Sequence, residues 1–289
     1  MQFFSIRNVE HLSGIKAHTL RIWEHRYNLI MPARKESKHR QYTNEDLKQI
    51  LKIASLYRQG YRISRIAAMS REEIDQQALA YTKDTHFDVF INQFVEAALD
   101  FDQQRFEDIF RGLFQHLGFE RAMVHVVYPY LERLGSLWMT DNILPAQEHF
   151  SSALIRKQII LDSEKITVRP QPGATRVALF APEGEHHELP LLLIGNILRK
   201  NGFALAYFGV NTPLDHLEAY LGRYPDVLLY FHVLTNFTDL EPEAYIESIR
   251  QRFPGQQVVA SGLVLHGIRS SWPEVRILHS LQEVRLLKP

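Results

Sequence analysis

The last third of the chain alternates short apolar runs with amphipathic stretches, and no other feature constrains the fold as tightly. "RVALFAP", "FALAYFG", "DVLLYFHV", "QQVVASG" and "VRILHS" are strand-length and rich in aliphatic and aromatic residues. Between the first four lie "HELPLLLIGNILRKNG", closed by Gly202, "TPLDHLEAYLGRY", with Thr212 as a cap, and "LEPEAYIESIRQRF", all with helical spacing. Strands alternating with helices predict a doubly wound sheet of five parallel strands. Ligands of such sheets sit at the carboxyl ends of the strands. "EGEHHELP", residues 183–190, follows the first strand directly, so it lies where a ligand loop belongs.

Upstream the pattern is helical. "RPQPGATR" is a Pro/Gly break. Before it, residues 86–165 read as four antiparallel helices forming a bundle. Phe recurs at 87, 90 and 94, and Phe106, Phe110, Leu113 and Leu117 share a face. The third helix contains Pro129, which should bend it. The fourth carries Ile143, Phe150, Leu154 and Ile159.

The amino end differs in charge. Of 33 Lys/Arg and 33 Asp/Glu, residues 1–71 hold 14 and 5, so the remainder holds 19 and 28. A basic end on an acidic body predicts one module that meets a polyanion. In it, Ser5 can cap a helix ended by Ser13-Gly14, and a second helix, "KAHTLRIWEHRY", follows at once. That is a helix-turn-helix. "MPARKESKHRQYT" has the length of a hairpin, and Thr43 with Asp46 forms a capping box for the helix carrying Leu47, Ile50, Leu51 and Ala54.

Zero cysteines exclude disulfides, thiolate zinc sites and cysteine nucleophiles. Met1–Arg7 has no apolar run behind a basic start, and no stretch approaches the ~18 apolar residues of a membrane span. A cytoplasmic protein with no membrane partner is expected.

The head, from Ser5 to Leu47, resembles the winged helix-turn-helix of MerR-type transcription regulators. Ser5-Ile6, Leu12-Ser13-Gly14-Ile15, Thr19-Leu20-Arg21, Trp23-Glu24, Arg26-Tyr27, Pro32, Arg34, Arg40, Tyr42 and Asp46-Leu47 carry the match. The resemblance implies a double-stranded DNA operator, with the second helix in the major groove. His18, Thr19 and Arg21 then reach toward DNA, while Lys35, Lys38, Arg40 and Tyr42 suit phosphate contacts. The segment after the head, "SREEIDQQALAYTKDTHFD", sustains no heptads, so a dimer or tetramer would rest on later parts of the chain.

"WMTDNILPAQEH" is, taken alone, a Trp near a loop and a polar pair at a helix start. Behind a MerR-type head it resembles the cap bundle of the cobalamin-dependent CarH/LitR photoreceptor group. There the tryptophan packs on the adenosyl group of adenosylcobalamin, and the histidine takes the cobalt after photolysis. The matching positions are Trp138, Glu148 and His149. "EGEHHELP" resembles the Asp/Glu-x-His-x-x-Gly loop of cobalamin-binding domains, where the His ligates cobalt from below and the carboxylate orients it. Glu185 and His187 match, and His186 is the variable residue. Thr235 and Gly262 complete the implied cofactor set.

Three departures from that pattern fall near the nucleotide tail. The loop Gly is Pro190, Phe231 stands about where a channel-lining Ser is usual, and Gly-Gly is Ser261-Gly262. A ring in place of a hydroxyl is expected to narrow the channel. The implied organisation is α then α/β. A winged helix-turn-helix (1–75) leads to a four-helix cap bundle (80–168) and a flavodoxin-like, Rossmann-like cobalamin-binding-type domain (174–289). The expected function is a non-enzymatic regulator, a repressor, that senses cobalamin, with light as the candidate stimulus. A regulator of the same build that works without cobalamin, using the last domain for assembly or another ligand, is the alternative. A corrinoid enzyme or methyl carrier has no use for the head. A zinc site made of Glu148, His149, Glu185, His186 and His187 matches no known zinc spacing.

Overall fold

The computed structural model describes residues 3–34, 40–58, 60–79, 87–138, 143–234, 241–266, 268 and 272–289. Contacts divide the chain into two compact units, Met1–Leu154 and Ile155–Pro289.

In the first unit, β1 (Phe3–Phe4) leads into α1 (Ile6–Ser13) and α2 (Ala17–Tyr27). The Ser5 hydroxyl accepts the Asn8 N–H at 3.3 Å, and the Ser5 N–H donates to Asn8 Oδ1 at 2.8 Å. Gly14, at φ 69, ends α1 in the left-handed conformation that glycine adopts without strain. β2 (Ala33–Arg34) and β3 (Arg40–Thr43) form the hairpin expected after α2. β1, which no periodicity announced, adds to the other edge of β3, giving the antiparallel order β1-β3-β2. The Thr43–Asp46 capping box opens α3 (Asn44–Arg58), with Asp46 N–H donating to Thr43 Oγ1 at 3.1 Å and Thr43 N–H to Asp46 Oδ2 at 2.8 Å. α4 (Ile63–Ile66) and α5 (Arg71–Leu79) follow. Val9, Leu12, Leu20, Trp23, Leu47 and Ile50 are buried, so α2 turns Leu20 and Trp23 inward as the spacing predicts.

The bundle consists of α6 (Phe87–Leu99), α7 (Gln103–Leu117), α8 (Phe119–Ala122) continuing into α9 (Tyr128–Trp138), and α10 (Pro145–Glu164). Phe94 is its centre, with ring centroids 4.7, 4.8 and 5.3 Å from Phe106, Phe110 and Tyr130. Pro129 is accommodated because the turn before it, Met123–Val127, is a π-helix. The wider turn makes room where the proline ring would meet the carbonyl four residues back. Asn92 of α6 ties the bundle to the head, its Nδ2 donating to Leu51 O at 3.3 Å while Arg133 of α9 donates to its Oδ1 at 2.9 Å.

In the second unit, β4 (Arg176–Pro182), α11 (Glu188–Lys200), β5 (Ala204–Thr212), α12 (Asp215–Arg223), β6 (Leu228–His232), α13 (Pro242–Arg252), β7 (Val258–Ser261), β8 (Val275–Leu278) and α14 (Leu281–Arg285) alternate as predicted. Thr212 ends β5 instead of capping α12, whose N-cap residue is Leu214. All neighbouring strands are parallel, in the order β5-β4-β6-β7-β8. That is the flavodoxin-like order, whose direction reverses between β4 and β6. Among the described residues no helix is long and apolar enough to cross a membrane.

Candidate cofactor loop and DNA-reading helix

The loop after β4 lies at the carboxyl end of the switch point, and hydrogen bonds to both neighbouring strands' exits hold it there. Gly184, at φ 83, donates its N–H to Asn211 Oδ1 at 2.8 Å, and Asn211 N–H donates to Glu185 O at 2.9 Å. On the other side, Leu234 N–H, just past β6, donates to Glu185 Oε2 at 2.7 Å. Glu185 is 1% exposed. Its Oε1 accepts both the backbone N–H of His187 at 2.9 Å and the ring Nδ1 at 2.6 Å. A carboxylate that binds Nδ1 fixes the tautomer and orientation of an imidazole, and directs metal ligation to Nε2.

His187 is the N-cap residue of α11, and Pro190 falls in that helix's first turn. The first four N–H groups of a helix have no intrahelical acceptor, so the proline costs the helix nothing. Gly262 has φ 132, and a side chain there would meet Val233 O at 1.8 Å. The backbone after β7 therefore passes directly against the backbone after β6.

Phe231 is not where the sequence put it. Alternation along β6 sends it to the face covered by α12 and α13. There it packs with Leu217, Ile246 and Ile249, and its ring lies 5.3 Å from that of Tyr245. Tyr230 and His232 take the opposite face, and both reach Ser261, the Tyr230 hydroxyl at 3.0 Å and His232 Nδ1 at 2.9 Å from its Oγ. The His232 ring is half-buried with its nitrogens inward. Burial pushes its pKa down to about 4, so the ring is neutral near pH 7. Sequence reasoning missed His232, although its position two residues after Tyr230 in a buried strand was the available signal.

The remaining candidates are placed unequally. Glu148 accepts the Ser152 hydroxyl at 2.5 Å and lies 3.3 Å from Nδ1 of the exposed His149, both on the first turns of α10. Trp138 is the last residue of α9. Its side chain and the whole of Thr235 lie outside the described residues, as do Lys35 and Lys38. Among the described residues no group of three or more His, Cys, Asp or Glu is placed to hold a metal, so the five zinc candidates form no such site within either unit.

In the head, His18 and Arg21 are exposed, Thr19 is half-exposed, and Ile22, His25 and Arg26 join them on the outer side of α2. Sequence reading missed the last three, though 18, 21, 22 and 25 follow the spacing of one helix face. Tyr42 is corrected. It is fully buried, its hydroxyl donates to Glu24, and that burial raises its pKa. Arg40 Nε donates to the same carboxylate at 2.6 Å. Both residues hold the hairpin to α2, and Tyr42 has no surface to offer a phosphate.

Residues 4–73 match the family described as MerR HTH family regulatory protein, and residues 90–160 match a B12 binding domain. The chain thus joins a head similar to MerR-type regulators to a module similar to B12 binding domains. The HTH-type transcriptional repressor CarA of Myxococcus xanthus is 28% identical over 77% of this chain and 74% of its own. The repressor CarH of the same organism is 25% identical over 77% and 76%. Among solved structures, the monomethylamine corrinoid protein of Methanosarcina barkeri superposes with a TM-score of 0.53 over 73% of this chain and 96% of its own. At 14% identity that likeness establishes the fold alone. The protein is a DNA-binding regulator, not an enzyme. The loop residues fit a corrinoid held by a protein imidazole, since a buried carboxylate already orients His187.

Proposed function

We propose that this regulator is a cytoplasmic repressor whose second unit senses cobalamin. The Glu185–His187 pair carries the reading: an imidazole held through Nδ1 by a buried carboxylate at the switch point of a flavodoxin-like sheet. His187 would offer Nε2 to the cobalt, and Glu185 would keep the ring oriented and basic. Adenosylcobalamin, when bound, supplies a cobalt–carbon bond that light can break. Trp138, Glu148 and His149 would be the candidates of the first unit for contact with the same cofactor, His149 offering a further imidazole. Thr235 and Gly262 border the nucleotide tail.

The same proposal gives α2 the major groove. His18, Thr19, Arg21, Ile22 and His25 face the bases, and Lys35, Lys38 and Arg40 lie along the phosphates. Binding as a dimer or tetramer on repeated half-sites follows, assembled by residues beyond about 80.

The test is an absorption spectrum after mixing with adenosylcobalamin in the dark and removing free cofactor. Retained corrin bands in the wild type and their loss or displacement in His187→Ala, with His186→Ala unchanged, are expected. A wild type that keeps no corrinoid at high micromolar cofactor ends the cobalamin reading and leaves a cobalamin-independent regulator.

A further inference from the structure

α2 keeps one face out of the core of the head. Leu20 and Trp23 fix its buried side, and His18, Ile22 and His25 follow one another at i, i+4 and i+7 on the opposite side. Arg21 and Arg26 flank that row, and all five residues are exposed. Four of the five carry a guanidinium or an imidazole. Ile22 is the exception, a branched aliphatic side chain 50% exposed at the middle of the row, between the two histidines.

Ile22 adds nothing to the core, and a β-branched residue is a poorer helix former than Ala, Lys or Glu at such a position. One exposed apolar side chain is ordinary by itself. Its surroundings decide what can cover it. Residues 1–71 hold 14 Lys/Arg against 5 Asp/Glu, and Arg21 and Arg26 stand beside Ile22. A neutral surface laid on the row would strip water from both guanidinium groups without replacing it, which is costly. A polyanion supplies the partners, and the apolar centre then needs an apolar spot on that polyanion. Duplex DNA has one in its major groove, the 5-methyl group of thymine. The phosphate backbone has none, and RNA lacks that methyl group.

We infer that Ile22 is a specificity-determining residue of α2 and reads a thymine through its 5-methyl group, so that each half-site carries a T·A pair where the middle of the helix meets the groove. The inference rests on the reading that α2 enters the major groove. It adds the base that is read and the apolar contact that reads it.

The operator need not be known in advance. A random-sequence duplex library is enriched on the full chain, with and without adenosylcobalamin, and each thymine of the enriched duplex is replaced singly by uracil. That exchange deletes the methyl group and leaves every hydrogen-bonding group in place. Anisotropy titration is expected to show a thymine at which uracil weakens wild-type binding about fourfold, since a buried carbon group of that size contributes ~0.8 kcal/mol and 1.4 kcal/mol is tenfold. Ile22→Ser should bind the thymine and uracil duplexes equally, and Ile22→Val should keep part of the difference. Neither should change the salt dependence, which reports on phosphates. Circular dichroism checks that both variants fold, and an unfolded Ile22→Ser leaves the decision to Ile22→Val against wild type. An enriched duplex in which no uracil matters, or variants that keep the full wild-type difference, overturns the role of Ile22 and leaves α2 in the groove. A library from which no duplex is enriched in either state overturns the placement of α2 and the inference with it.

Discussion

The head and the α/β unit are each organised around one shielded carboxylate, and they use it in opposite ways. Glu24 in the head accepts Arg40 Nε and the Tyr42 hydroxyl. Those groups come from a strand 16 and 18 residues later, so the carboxylate fastens the wing to α2 and consumes the Tyr42 hydroxyl, a group that sequence reasoning had given to DNA. Glu185 in the α/β unit also gathers donors, from Leu234 N–H, His187 N–H and His187 Nδ1. An imidazole has two nitrogens, however, and fixing one aims the other. The same chemistry makes a structural clamp where the donor has a single useful direction, and a ligand holder where the donor is bifunctional.

The comparison predicts unequal costs when its parts are altered. The largest effect is expected at Phe231, the residue taken from its supposed channel and placed in the core. Phe231→Ser should leave a void among Leu217, Ile246 and Tyr245 and destabilise the α/β unit by about 4 kcal/mol. It should not improve corrinoid uptake. Urea unfolding with a cofactor titration measures both, and improved uptake at unchanged stability would return Phe231 to the channel.

Next is the acid sensitivity of the α/β unit. An unfolded histidine titrates near ~6.5, whereas burial holds His232 at about 4. Between those values the unfolded chain binds the extra proton, so stability falls as pH drops through the window. The loss is at most on the order of 3 kcal/mol once the pH is below about 4, because part of the ring edge remains accessible. Wild type and His232→Phe, unfolded in urea at pH 7 and pH 4.5, should differ in this slope. Parallel slopes would place His232 in water.

A smaller effect tests the holder directly. Glu185→Gln keeps the shape of the side chain but removes the charge behind His187, and should weaken cobalamin binding roughly 10- to 100-fold. Undiminished affinity would reduce Glu185 to a loop tie.

The smallest effect belongs to the clamp. Tyr42→Phe removes one hydrogen bond to Glu24 and should lower head stability by about 1 kcal/mol. The salt dependence of DNA binding should stay as it was. Lys38→Ala, by contrast, should flatten that dependence by roughly 0.9 in slope if it meets a phosphate. A flattened slope in Tyr42→Phe would put its hydroxyl back on the DNA.

What the sequence determined alone was whatever closes over a few residues. The Ser5–Asn8 and Thr43–Asp46 boxes, the left-handed stop at Gly14, the buried faces of α2 and α7, and the strand–helix alternation all follow from local periodicity and capping chemistry. Glu185 and His187 belong to the same class, because two residues of separation suffice to join carboxylate and ring. Tertiary structure alone decided the rest: that Tyr42 and Arg40 meet Glu24, that β1 pairs with β3, that Gly262 must pass Val233 without a side chain, and that His232 reaches Ser261 while Phe231 faces the core. Both faces of β6 are covered, so Leu228 to Phe231 are aliphatic or aromatic on either side and carry no polar alternation to tell one face from the other. In a strand with period two, a one-residue difference in register exchanges the faces, and only pairing with β4 and β7 sets that register.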